Sequence, residues 1–83
     1  MDRITGKLID FHAYINPLNI EKTKFILDCK DFDYPLIVHI ENMFLRNNVF
    51  SVGEDITATG MLVGYKEDEQ GPYIKFSAWE INN

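Results

Sequence analysis

Most of the chain alternates between apolar and polar residues. The clearest case is Thr23–Lys30, in which the odd positions after Thr23 are apolar and the even positions are mostly charged. A period of two is typical of a strand with one buried face. The same period predicts strands over Arg3–Ala13 and Tyr34–Ile40. It also predicts a final hairpin over Val52–Asn83, whose two runs flank a long charged loop, Lys66–Gly71.

The first predicted strand changes face along its length. Its apolar positions fall into two sets of opposite phase: Ile4, Gly6 and Leu8, then Ile9, Phe11 and Ala13. A glycine inside a strand often marks a bulge or a bend. The sequence therefore predicts a long strand that bends near Gly6 and serves two sides of a barrel.

Two segments depart from the alternation. Tyr14–Lys22 contains Asn16-Pro17 and Asn19, which favour a turn. A short helix is predicted over Glu41–Asn48. It is expected to end at Asn47-Asn48, because asparagine tolerates the left-handed conformation at a helix end. The resulting order is three strands, a short helix and two strands. It predicts an all-β protein: a five-stranded Greek-key barrel of the OB type, forming a single domain over residues 1–83.

The composition restricts the choice of partner. The chain has 83 residues and a net charge of −5, from 8 Lys and Arg against 13 Asp and Glu. Such a charge argues against nonspecific binding to phosphates unless a local basic stripe exists. The single cysteine, Cys29, is expected to be a small buried hydrophobe. No apolar run resembles a signal peptide or a membrane span, so we expect a cytoplasmic protein.

Catalytic chemistry has little support in the sequence. His12 and His39 are the only histidines, and no motif places either beside a nucleophile. Together with Cys29 they would still lack a fourth zinc ligand and a recognisable spacing. The acidic run Glu67–Glu69 is expected to form a solvated loop tip. A divalent-ion site at this tip is the alternative. We expect neither an enzyme nor a bound cofactor or metal.

The second half of the chain resembles a known group of proteins. Residues 48–62 look like the entry into the fourth strand of single-stranded-DNA-binding OB-folds, and Ile74–Ala78 resembles their last strand. The matching positions are a turn glycine, two inward residues and a strand glycine: Gly53, Ile56, Ala58 and Gly60. Bacterial single-strand binders, primosomal replication protein B and replication-protein-A domains share this layout. The acidic 67–69 segment departs from it, because those proteins usually carry basic residues in this loop.

An OB barrel binds ligands along its second and third strands and the loops beside them. Aromatic rings stack on bases there, while lysines neutralise phosphates. The candidate nucleic-acid-binding residues are the lysines, rings and apolar side chains that this mapping places on one surface: Lys24, Ile26, Lys30, Phe32, Tyr34, His39, Tyr65, Lys66, Tyr73 and Lys75. On the last strand, Ile74, Phe76 and Ala78 are expected to face inward. Trp79 is interpreted as a ring that seals the barrel.

Two functions of different classes remain open. The first is a non-enzymatic module that binds single-stranded DNA or RNA, as an accessory protein in replication or repair. The second is a protein-interaction OB domain that binds a basic partner or a second copy of itself, without binding nucleic acid. Binding of a small molecule or an oligosaccharide is a third option that the fold permits.

Overall fold

Five strands form a closed barrel in the computed structural model, which describes residues 1–46 and 48–83. The strands are β1 (Asp2–Ile15), β2 (Glu21–Asp28), β3 (Leu36–Glu41), β4 (Asp55–Asp68) and β5 (Gly71–Asn82). Their order around the barrel is β1-β2-β3-β5-β4, and β4 pairs with β1 to close it. β3 and β5 are parallel, and the other neighbours are antiparallel. The predicted all-β, five-stranded OB-type barrel is confirmed.

The core lies inside the barrel and is built from the inward positions of all five strands. Phe25 and Phe76 are the largest side chains that are fully buried. Phe50 packs edge-on against Phe25, with 5.0 Å between the ring centroids, and Leu45 also packs against the core. The segment between β3 and β4 therefore contributes apolar cover to the barrel. Cys29 is buried, as predicted.

β1 changes face at a bulge, as expected for a strand that serves two sides of a barrel. Leu8 pairs with Leu27 whereas Asp10 pairs with Ile26, so Ile9 is the extra residue. An extra residue reverses the phase of the side chains that follow it. Phe11 can therefore stack on the core ring of Phe25, at a centroid distance of 5.7 Å.

The bulge lies three residues beyond Gly6, where the bend was expected. Gly6 has a different role, because β2 passes close to it. A Cβ atom at this position would lie 3.0 Å from the carbonyl oxygen of Asp28 and 3.2 Å from the Cβ of Leu27. The glycine thus allows close packing of β1 on the end of β2.

β4 and β5 bend together at Gly60, the strand glycine that the sequence singled out. A Cβ atom there would lie 2.1 Å from the carbonyl oxygen of Ser77, a distance that no side chain tolerates. Thr59 pairs with Glu80 and Gly60 with Ala78, so Trp79 is the extra residue of this bulge. Trp79 is 45% exposed, and the prediction that it seals the barrel is wrong. Ile81 occupies the next inward position instead.

The tip of the final hairpin is shorter than predicted. The strands continue through the expected loop Lys66–Gly71, so only Glu69 and Gln70 connect them. The Asp68 carboxylate accepts a hydrogen bond from the Gln70 backbone N–H, and Gly71 supplies a positive φ of 115° at the turn exit. Charged side chains concealed this extension because they gave the segment the composition of a loop.

The short helix predicted between the third and fourth strands is present, but it is shorter than the expected Glu41–Asn48 and of the 3-10 type. The structure has a three-residue 3-10 turn, Asn42–Phe44, between β3 and β4. The segment is too short to meet the cost of nucleating an α-helix. The predicted helix stop at Asn47 lies outside the described residues. Among the residues that are described, no helix has the length and apolarity needed to cross a membrane.

Candidate functional site

The strand register aligns polar and charged side chains in rows across one outer surface of the barrel. One row runs from β1 through β2 and β3 to β5 and consists of His12, Lys24, His39 and Ser77. The next row consists of Asp10, Ile26, Ile37 and Lys75. On β2, β3 and β5 the neighbours along the strand are buried in the core, so these residues face outward. We call the outward side chains Tyr14, Lys22, Lys24, Ile26, Ile37, His39 and Lys75 the basic face.

Three lysines lie near His39 at the centre of the basic face, although the whole chain is acidic. Burial lowers the pKa of His39, and the nearby charges of Lys75, Lys22 and Lys24 lower this pKa further, to about 4. All three lysines disfavour the charged imidazolium, so His39 is neutral at pH 7. Three of the eight basic residues of the chain are therefore gathered around one half-buried ring.

No carboxylate neutralises these lysines by direct contact within the described residues, where the one close contact between a carboxylate and a basic side chain joins Asp10 to His12 Nε2 at 3.0 Å. Glu41 lies opposite Lys22 in the register, yet the two form no ion pair. The ammonium groups of the basic face remain available to an anion from solution. Electrostatic attraction for such an anion is strongest where cations lie close together without counter-charges.

Tyr14 and His39 form the one side-chain hydrogen bond that crosses the basic face. The distance from Tyr14 Oη to His39 Nδ1 is 2.7 Å. Tyr14 pairs with Lys22 while His39 pairs with Lys24, so the tyrosine ring extends diagonally over β2. Burial raises the pKa of Tyr14, which keeps the phenol protonated as the donor to the neutral imidazole.

Nine of the ten predicted site residues fall into three groups. Lys24, Ile26, His39 and Lys75 lie together on the basic face, as the barrel mapping predicted. Tyr73 and Lys66 pair with each other on the hairpin, beyond the end of this face. Phe32, Tyr34 and Tyr65 lie near the turn that precedes β3.

The group near that turn is aromatic and continuous with the basic face. The rings of Tyr34 and Tyr65 make an edge contact at a centroid distance of 5.5 Å, and Phe32 packs partly against the core. A shallow cleft runs between Phe32, Tyr34 and Ile9 and reaches Ile26. A long ligand on the basic face would meet these rings next.

Lys30 does not belong to the basic face, and its predicted place beside Lys24 is wrong. β2 ends at Asp28, so its alternation does not continue to residue 30. Lys30 instead borders a separate cleft with Lys7 and three carboxylates, those of Asp28, Asp31 and Asp55. The acids around this cleft oppose an anionic ligand.

The sequence analysis did not include Lys22 or Ile37 among its nucleic-acid-binding residues, and it assigned Tyr14 to a loop beside the binding surface rather than to a strand. It treated 14–22 as a loop, whereas β1 extends to Ile15 and β2 begins at Glu21. The alternation itself contained the signal, because Tyr14 continues the phase of His12 and Lys22 continues the phase of Lys24. Asn16 and Pro17 obscured how far the strands extend.

The part of the chain that the structure describes contains no group of three or more His, Cys, Asp or Glu side chains placed to hold a metal ion. Comparison with protein-family models, with curated proteins and with solved structures finds no match to this chain. The geometry and charge of the basic face are therefore the basis for assigning a function.

Proposed function

We propose that the chain binds single-stranded nucleic acid across the basic face. The observation that carries this proposal is the convergence of Lys22, Lys24 and Lys75 on His39 without ion-pair partners among the described residues. Lysines that follow a strand of phosphates, beside rings on which bases stack, are the general features of single-strand binding. The OB-type barrel places this surface on the strands where such folds bind oligonucleotides.

The surface suits a single strand better than a duplex. Ile26 and Ile37 are neighbours in the centre of the face, and both are only partly exposed. Unpaired bases offer apolar ring faces to such side chains, whereas a duplex conceals its ring faces within the base stack. The resemblance to replication-type OB domains favours an accessory role in replication or repair.

The acidic regions of the chain would confine the ligand to this face. Glu67, Asp68 and Glu69 lie at the far end of the hairpin, and the aspartate-rich cleft beside Lys30 lies beyond the end of β2. Both regions repel phosphates. We therefore expect moderate affinity, a short site and strong dependence on salt.

Fluorescence anisotropy with a labelled oligothymidylate tests the proposal. If three lysines each neutralise a phosphate, the slope of log K against log salt is about −2, so affinity falls roughly twentyfold from 50 to 200 mM salt. Lys24→Glu and Lys75→Glu should each weaken binding about tenfold or more at low salt, because each replaces an attractive charge with a repulsive one.

Lys30→Glu is the matched control, since it makes the same charge change outside the basic face. It should alter the affinity by less than about twofold. Absence of any anisotropy change at low salt would refute the proposal. An equal loss of affinity in Lys30→Glu and Lys24→Glu would show that only the net charge matters.

A second candidate function is protein interaction, and the outer half of β4 favours it. Met61, Leu62 and Val63 are consecutive and 58%, 39% and 47% exposed. In the described register β1 pairs with β4 only over Asp55–Gly60, so the rest of β4 has β5 on one side alone. An apolar strand edge of this kind can pair with another chain.

The Asp2 carboxylate occupies part of this edge, because it accepts a hydrogen bond from the Leu62 N–H at 2.8 Å. Light scattering over a range of concentrations tests for a second copy as the partner. A mass that rises with concentration in the wild type, and remains that of a monomer in Leu62→Lys, would support self-association. A wild-type monomer at every concentration would exclude it.

A further inference from the structure

We propose that the cleft between His12, Tyr14, Lys24 and His39 is a subsite that takes one nucleobase of the bound strand. This inference rests on the proposed function and adds to it the part of the ligand that is recognised. The cleft has a volume of about 230 Å³, which suits one base rather than a stack of several. Three of its four walls are ring side chains, and the fourth is a lysine stem.

The two central rings are ordered before any ligand binds. Tyr14 and His39 stand almost perpendicular, at an interplanar angle of 87° and a centroid distance of 5.9 Å. Their hydrogen bond joins β1 to β3 across the intervening strand. Both rings are partly buried, and their hydrogen bond holds them together. Binding of a base beside them therefore costs little side-chain conformational entropy.

The hydrogen bond also determines which atom of His39 is available. A phenol is the stronger donor and an imidazole nitrogen the stronger acceptor, so we assign the tautomer in which Tyr14 Oη–H donates to Nδ1 and Nε2 carries the ring proton. No side-chain nitrogen or oxygen among the described residues is both buried and without a partner. Nε2 has no hydrogen bond to the described protein atoms, so it reaches the surface as a donor. A carbonyl oxygen or ring nitrogen on the edge of a base is its complement.

The lysines lie where the backbone of the same strand would run. Tyr14 extends over β2 between Lys22 and Lys24, and Lys75 lies beyond His39 on β5. Cationic groups therefore flank the cleft on two sides. A base in the cleft and phosphates on the lysines would belong to one continuous ligand.

Two oligomers of equal length separate the base from the phosphates: oligothymidylate and an abasic strand that keeps only sugars and phosphates. The wild type should bind oligothymidylate about tenfold or more tightly than the abasic strand, because stacking contributes ~1–3 kcal/mol for each base. Tyr14→Leu and His39→Leu should lower this ratio at least about fivefold. Neither variant should change the salt dependence of binding to the abasic strand.

Two further variants complete the test. Tyr14→Phe keeps the ring and removes only the hydroxyl that orients His39, so it should lower the ratio a few-fold without removing a core contact. Phe44→Leu removes an exposed ring outside both the cleft and the basic face and should leave the ratio unchanged. Circular dichroism verifies that each variant keeps the fold of the wild type.

The outcomes separate the two claims. If the wild type binds neither oligomer, the proposed function fails and the subsite fails with it. If the wild type binds both equally, the lysines bind phosphates but the cleft takes no base, and the inference is overturned while the function stands. A folded Tyr14→Leu or His39→Leu variant that keeps the wild-type ratio would also overturn it.

Discussion

Acidification should destabilise the native barrel through His39. The pKa of His39 is lowered from 6.5 to about 4 by burial and by Lys75, Lys22 and Lys24. Below pH 6.5 the unfolded chain protonates this side chain while the native chain keeps it neutral. Stability from this source is therefore complete above pH 6.5 and is lost as the pH falls towards 4.

The magnitude follows from the difference between the two pKa values. At about 1.4 kcal/mol for each pKa unit, the full difference corresponds to ~3 kcal/mol. His39 is only partly buried and solvent screens the lysine charges, so we expect about 1–2 kcal/mol. For a chain of this length, that is a substantial fraction of a stability on the order of 4–12 kcal/mol.

Urea denaturation at several pH values between 7.5 and 4 measures this loss. Over this range the free energy of unfolding of the wild type should decrease by about 1–2 kcal/mol more than that of His39→Gln, because the glutamine side chain does not titrate. His39→Asn, which likewise carries no titratable group at this position, is the matched second variant and should show the same reduced pH dependence as His39→Gln. Equal pH dependence in His39→Gln and the wild type would refute this account of the pKa of His39.

Two further predictions concern the barrel. Gly60→Ala should destabilise the protein by about 3 kcal/mol or more because its Cβ would collide with the Ser77 carbonyl. Gly64→Ala should destabilise the protein by only about 1–2 kcal/mol, since its φ of 126° is strained but no heavy atom lies within 4 Å of the added Cβ. Equal decreases in the denaturant midpoints of Gly60→Ala and Gly64→Ala would contradict this account of how β4 and β5 bend. Phe25→Ala should cost about 3–5 kcal/mol by opening a core cavity, whereas the exposed Met61→Ala should change stability by less than about 0.5 kcal/mol; a thermal melt of Phe25→Ala like that of wild type would contradict the core assignment.

The sequence predicted the barrel well because its evidence was periodic. Alternation in β2 identified Phe25 and Leu27 as core, and Gly60 marked the bend that closes the sheet. Single extra residues were harder to locate. The bulge at Ile9 and the bulge at Trp79 each depend on how two distant strands register, which no local pattern specifies.

The site was predicted only where strand boundaries were predicted correctly. Lys24 and His39 fell on the outward face because their strands were recognised. Lys22 was not included and Tyr14 was assigned to a flanking loop, because turn-forming residues concealed the ends of β1 and β2. Lys30 was expected beside Lys24 because β2 was predicted to continue through it, whereas β2 ends at Asp28. The sequence also gave no indication that three lysines would gather around one histidine in an acidic chain, since that gathering depends on the order of β2, β3 and β5.

The position of the ligand on the barrel is the most direct test of the central claim. A titration of the ¹⁵N-labelled chain with oligothymidylate, followed by two-dimensional ¹H–¹⁵N NMR, reports which backbone amides the strand approaches. The account predicts that the largest shifts occur at Lys24, Ile37, His39 and Lys75, with little change at Lys30. Shifts centred on Lys30, or no shifts at low salt, would contradict it.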